Sequence, residues 1–176
     1  ANPLDFVVAL LEAVSYSLDE IPDEQSHLPL NIQEWGMLDR DRSERILASN
    51  LAEDDSFEGA YVQALLREIP AESLLFSANS MAIRAVDEFY FTRGKRLTVL
   101  ANRGLNGIDG TVSSAFGAAQ EFKQTVFLTG DLTFLHDMNA LALQEEMLLQ
   151  EKEGMHRPSI VIVLLNNQGG AIFDML

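Results

Sequence analysis

Four apolar runs constrain this chain more than any other feature: SLLFSA (73–78), LTVLAN (97–102), TVFLTG (125–130) and SIVIVLLN (159–166). Each has the length of a strand and stops abruptly at Asn, Asp or Gly. None of them alternates apolar with polar residues. A strand that is apolar on both sides must be covered on both faces, as in a parallel sheet. Parallel strands cannot be joined by tight turns, so helix-length segments must lie between them. The intervening segments have the right length: FEGAYVQALLREI precedes the first run, and NSMAIRAVDEFYF, GTVSSAFGAAQEF and FLHDMNALALQEEMLLQEKEG separate the rest. The expected fold is α/β, a three-layer αβα parallel sheet over residues 51–176.

Residues 1–50 follow a different pattern. Residues 4–18 have helical apolar spacing, with Leu4, Val7, Val8, Leu11 and Val14 on one face. The stretch DEIPDEQSHLPLNIQEWGMLDRD is polar, contains two prolines and reads as loop with short helical pieces. This part resembles the tail of a preceding domain more than a domain of its own.

Charge and composition exclude several function classes. The 176 residues carry 27 acidic and 12 basic side chains, a net charge of −15. A surface of that sign does not suit general binding to nucleic acid or anionic membranes. There is no cysteine, so disulfides and thiolate zinc sites are out. The apolar stretch at 6–18 is too short to cross a bilayer. A cytoplasmic protein is the expectation.

In an open parallel sheet, ligands bind beyond the carboxyl ends of the strands. Here those ends carry NSMAIR, NRGLNGIDG, DLTFLHD and NNQGGAIF. Asp131 follows a strand and precedes a helix, where an N-cap is the ordinary role. The same place receives phosphate on free backbone N–H groups, and a carboxylate there suits a phosphate that arrives with a divalent cation. Mg²⁺ takes octahedral oxygen ligands, few of them protein carboxylates. Asp131 offers a carboxylate, Asn167 an uncharged amide oxygen, and Gly169 a carbonyl on a backbone free to turn inward.

GDL followed later by NN resembles the diphosphate and magnesium motif of the thiamine-diphosphate-dependent enzymes. NSMAIR, NRGLNGIDGTVSSAFGAAQ, GDLTFLHDMNALAL and NNQGGAIFDML are together similar to one branch of that family, the carboligases of menaquinone and phylloquinone biosynthesis. The likeness runs from about residue 57 to the end. It implies that Asp131, Asn167 and the Gly169 carbonyl hold Mg²⁺. Thr133, with Gly130 and Leu132 beside it, would bind the diphosphate of thiamine diphosphate. Ile108 would prop the cofactor in its bent conformation. Ser80, Arg84 and Arg103 match polar substrate-binding positions, and Ile172, Phe173 and Leu176 match apolar ones in the same pocket.

The reaction so implied decarboxylates 2-oxoglutarate and adds the resulting carbanion to isochorismate. Both substrates carry carboxylates, which guanidinium groups match in bidentate fashion. Each residue also has an ordinary alternative. Arg84 can pair with Asp87 or Glu88 along its helix. Asn79 or Ser80 can cap that helix. Ile172 and Phe173 can be core. His136 and Asp137 read as structural, and no residue of this chain is assigned a catalytic role.

Two departures from the family pattern stand out. The segment between GDL and NN is longer than usual, with the excess in QEEMLLQEKEGMHRP, and it either loops away harmlessly or shifts the strand bearing Asn167. The pyrimidine-binding domain, which supplies the activating glutamate, is not found, and the family continues past IFDML. The expectation is a partial chain with little activity alone, whose intact enzyme is a homodimer or homotetramer with that domain supplied from outside. The alternatives are a different thiamine-diphosphate-dependent 2-oxo-acid decarboxylase or carboligase, and a non-catalytic scaffold of the same fold.

Overall fold

The computed structural model describes residues 30–48, 58–90, 95–104, 107–152, 158–170 and 172. The chain divides into two compact units, Ala1–Ser49 and Asn50–Leu176. The helix expected over 4–18 lies outside the described residues.

In the first unit the structure corrects the loop expected around residues 19–41. Leu30–Ala48 is a single α-helix (α1) of 19 residues. Both prolines of the stretch precede its first residue, where they do not interrupt it. Inside it, Asp41 and Arg45 pair at 2.9 Å one turn apart, and the Ser43 hydroxyl donates to the Asp39 carbonyl at 2.6 Å. Trp35, at 72% exposure, faces water together with Met37 and Leu38, and the described side chains of the helix form no clean apolar stripe for periodicity to reveal.

The second unit follows the pattern of the apolar runs. Its order is α2 (Glu58–Glu68), β1 (Leu74–Ser77), α3 (Met81–Phe89), β2 (Thr98–Ala101), α4 (Thr111–Ala119), β3 (Gln124–Gly130), α5 (Asp131–His136), a 3₁₀ turn at Met138–Ala142, α6 (Leu143–Lys152) and β4 (Ser159–Leu165). The four strands form one all-parallel sheet in the order β2-β1-β3-β4. Every side chain of β1 is buried, on both faces. β1→β2 and β2→β3 run in opposite directions across the sheet, so right-handed crossovers set α3 and α4 on opposite faces. Phe76 and Phe127, paired in register across β1 and β3, meet edge to face at 5.9 Å between ring centroids. The edge strands are less covered, and Val161 on β4 is 55% exposed.

Lys95 closes the C-terminal end of α2. Its ammonium donates to the carbonyls of Leu66 and Arg67 at 3.1 and 2.7 Å, where a cation also complements the helix dipole. Among the described residues no helix is long and apolar enough to cross a membrane.

The long helix expected over 134–154 is broken in three, and it begins earlier, at Asp131. The break is at Asp137, whose φ of −113° and ψ of 24° leave the helical region. A tertiary contact holds it there. The Asp137 carboxylate accepts from the Ser113 backbone N–H at 2.8 Å and from the Ser113 hydroxyl at 3.0 Å. Ser113 lies in the first turn of α4, whose N-cap position is Gly110 and carries no side-chain cap. Asp137 thus satisfies an open donor of a distant helix. Asp137→Ala is expected to lower the unfolding free energy by about 1–2 kcal/mol, with Asp137→Asn losing less because it keeps an acceptor. Urea denaturation of the three proteins checks this.

Candidate functional site

The topology creates one crevice. β1 is followed by a connection to one side of the sheet and β3 by a connection to the other, so their carboxyl ends flank a switch point. A cavity of about 280 Å³ lies there. It is lined by Asn79, Ser80, Met81 and Ala82 after β1, Ile108 after β2, Gly130 at the end of β3 with Asp131, Leu132 and Thr133 after it, and Leu165 at the end of β4 with Asn167, Gly170 and Ile172 after it. Glu58, at the start of α2, completes the wall.

The structure therefore gathers Ser80, Ile108, Gly130, Asp131, Leu132, Thr133, Asn167 and Ile172 around one space. It does not bring all the candidates there. Arg84 and Arg103 line a second groove of about 600 Å³ with Ile83, Val86, Asp87, Tyr90 and Val99. That groove lies along α3, the same helix that begins beside the first cavity. Gly169 is not among the cavity-lining residues but lies near it: a Cβ added there would stand 3.5 Å from the side chain of Leu132, which lines the cavity. Phe173 and Leu176 lie outside the described residues.

The register of β4 decides the effect of the long segment before it. β4 pairs with β3 residue for residue, Gln124 with Ser159 through Gly130 with Leu165. The two strands end together, so Asp131 and the asparagine pair leave the sheet side by side. The long segment before β4 leaves this register unbroken.

Asp131 is not an N-cap. Gly130 occupies that position, with extended backbone, and Asp131 is the first helical residue. One of its carboxylate oxygens accepts from the Leu132 N–H at 2.8 Å, which leaves the second for another partner. The two asparagines shape the turn that follows β4. Asn166 Oδ1 accepts from the Gln168 N–H at 2.9 Å, and Asn167 Oδ1 accepts from the Gly169 N–H at 3.2 Å. Gln168, Gly169 and Gly170 all have positive φ, at 64°, 88° and 70°. Two glycines in the left-handed region make that turn cheap.

Ser80 does occupy the N-cap position of α3, yet its side chain makes no capping bond. Its φ of 65° with ψ of −131° is a conformation that a residue with a Cβ adopts only under strain. Asn79 is no cap either. Its Nδ2 donates to the Gly107 carbonyl at 2.8 Å, tying the β1 loop to the β2 loop. This fixes the amide orientation and leaves Oδ1 buried without a hydrogen-bond partner. Such an acceptor costs about 1–3 kcal/mol unless a donor meets it.

Sequence reasoning missed Glu58 and assigned Asn79 only as a possible cap. Glu58 opens an ordinary amphipathic helix, so its type and position carry no signal. Asn79 stands out only once its backbone neighbours are known.

Among the described residues, no three His, Cys, Asp or Glu side chains cluster as a metal site. A cation here would have one carboxylate with amide and backbone oxygens, the donor set of a site shared with phosphate. A parallel α/β sheet with such a crevice is an architecture consistent with a thiamine-diphosphate-binding domain. No family model matches the chain. It is 52% identical over 129 residues to the 2-succinyl-5-enolpyruvyl-6-hydroxy-3-cyclohexene-1-carboxylate synthase of Desulfitobacterium hafniense, covering 72% of this chain and 22% of that protein. The same-named synthases of Geobacillus thermodenitrificans and Bacillus cytotoxicus are 44% and 40% identical over 136 residues, 77% of this chain and 22% of theirs. Over this segment the chain is a homologue of the 2-succinyl-5-enolpyruvyl-6-hydroxy-3-cyclohexene-1-carboxylate synthases. It spans about a fifth of the length of the relatives it matches.

The strain at Ser80 has a measurable consequence. Ser80→Gly is expected to raise the unfolding free energy by about 1 kcal/mol, because glycine occupies this backbone region without penalty. Thermal and urea unfolding of the ligand-free protein checks it.

Proposed function

We propose that this chain carries the diphosphate- and magnesium-binding part of a thiamine-diphosphate-dependent transferase. The reaction decarboxylates 2-oxoglutarate and joins the product to isochorismate, a cytoplasmic step of menaquinone biosynthesis. The observation that carries this reading is the convergence of Asp131, Thr133, Asn167, Ile108 and Ser80 on one cavity at the switch point, in a chain homologous to these synthases.

The residues present fit the cofactor. Asp131 has an uncommitted carboxylate oxygen, and Asn167 adds an oxygen ligand without adding negative charge beside a diphosphate.

Roles for the chain's residues follow from their chemistry. Asp131, Asn167 and Gly169 would hold Mg²⁺. Thr133 and the backbone at Gly130 and Leu132 would bind the diphosphate, and Ile108 would give the cofactor an apolar support. When bound, thiamine diphosphate supplies the electron sink for loss of CO₂. Arg84 and Arg103 share a groove along α3, where two guanidinium groups suit the carboxylates of both substrates. They also set a local positive charge against the net −15 of the chain. The assembled enzyme would be a homodimer or homotetramer.

Calorimetric titration of thiamine diphosphate, with and without Mg²⁺, tests the reading. Binding is expected to require Mg²⁺ and to weaken by about 100-fold or more in Asp131→Ala. Binding that is indifferent to Mg²⁺ or to Asp131 would overturn it.

A further inference from the structure

Glu58 stands at the first position of α2, far from Asn167 in sequence, and lines the same cavity. Its Oε1 accepts a hydrogen bond from Asn167 Nδ2 at 2.8 Å. The other end of the same amide accepts from the Gly169 N–H at 3.2 Å. Together these bonds define which way the amide points. Turned over, it would set Oδ1 against a carboxylate and its NH₂ against a backbone N–H, and both contacts repel.

That orientation matters for a cation. An amide oxygen is a ligand for a hard cation and an NH₂ group is not. The Gly169 N–H uses one lone pair of Oδ1 and leaves the other. Without the carboxylate, the long bond to Gly169 would be the only brake on rotation about the terminal torsion. Partners of this kind orient metal ligands and tune affinity without touching the metal.

We infer that Glu58 is a positioning residue for the cation site, holding the Asn167 amide with its oxygen available to the metal. This inference rests on the cation reading of Asp131 and Asn167. It goes beyond that reading by assigning a role to a residue outside the strand-end loops. The ordinary role for a glutamate here is to complement the dipole of α2. A dipole role depends only on charge, whereas positioning depends on reach and on Asn167.

The experiment measures the Mg²⁺ dependence of thiamine-diphosphate binding in the wild type, Asp131→Ala, Glu58→Ala, Glu58→Asp, Glu58→Gln, Asn167→Ala and the Glu58→Ala/Asn167→Ala double variant. Circular dichroism confirms folding of each. The Asn167 side-chain NH₂ resonances are followed by NMR in the metal-free proteins. Glu58→Ala is expected to weaken Mg²⁺ by about 10-fold. Glu58→Asp keeps the charge at the helix start but is one methylene short, so it should behave like Glu58→Ala. Glu58→Gln keeps an acceptor oxygen and should retain most of the affinity. The double variant should bind no more weakly than Asn167→Ala, and the Asn167 NH₂ resonances should move in Glu58→Ala but little in Glu58→Gln. Equal losses in the presence and absence of Asn167, or full affinity in Glu58→Ala, would overturn the proposal. If the wild type needs no Mg²⁺, or Asp131→Ala binds like the wild type, the cation reading itself fails and the inference falls with it. Mg²⁺-dependent binding that is still lost in Asp131→Ala, with full affinity and unmoved Asn167 resonances in Glu58→Ala, marks a failure of the Glu58 assignment alone.

Discussion

Two parallel strands joined through a helix need a crossover connection over one face of the sheet, and that crossover has one hand. Everything distinctive about the second unit depends on that constraint. The chain leaves β1 toward β2, returns over β1 to β3, and continues outward to β4. Crossing back places α3 and α4 on opposite faces, which buries β1 entirely. It also parts the loops after β1 and β3, and the gap between them is the cavity. The polar residues at the strand ends are there because the backbone at a strand end has unpaired groups. The topology then brings four such ends to one place.

Much of this was legible in the sequence for a physical reason. A strand covered on both faces has no polar side, so its run of apolar residues is unbroken, and SLLFSA and TVFLTG show it plainly. The edge strands carry the same kind of run although they are half exposed, because parallel ladders at an edge still pack against crossover helices. The failures were tertiary or lacked periodicity. Nothing local announces that Asp137 will be held by Ser113, so the segment after Asp131 reads as one helix. Nothing apolar marks one face of Leu30–Ala48, so two upstream prolines outweigh its helix-forming residues. In the site, Asp131 and Asn167 were recognisable as oxygen donors beside glycine turns. Glu58 was not, because its contact spans more than a hundred residues.

The asparagine pair illustrates how structural and ligand roles share the same atoms. Asn166 and Asn167 each spend one acceptor on the turn that carries three consecutive positive-φ residues. The turn sets Gly169 so that a Cβ added there would lie 3.5 Å from the Leu132 side chain in the β3 loop. An aspartate in place of Asn167 could accept the same turn bond. It would also face the Glu58 carboxylate and add charge beside a diphosphate. An amide at this position satisfies a donor, an acceptor and the charge balance at once, which no carboxylate can.

The two halves of the candidate cation site hang from strands of unequal durability. Gly130 ends β3, an interior strand with ladders on both sides, whereas Leu165 ends β4, which has a ladder on one side and Val161 half in water. Amide hydrogen exchange follows such differences, since edge strands open locally at lower free energy than central ones. Local opening of that edge would part the residues after β4 from those after β3 while β1 and β3 stay paired. A cation held by both Asp131 and Asn167 would oppose that opening.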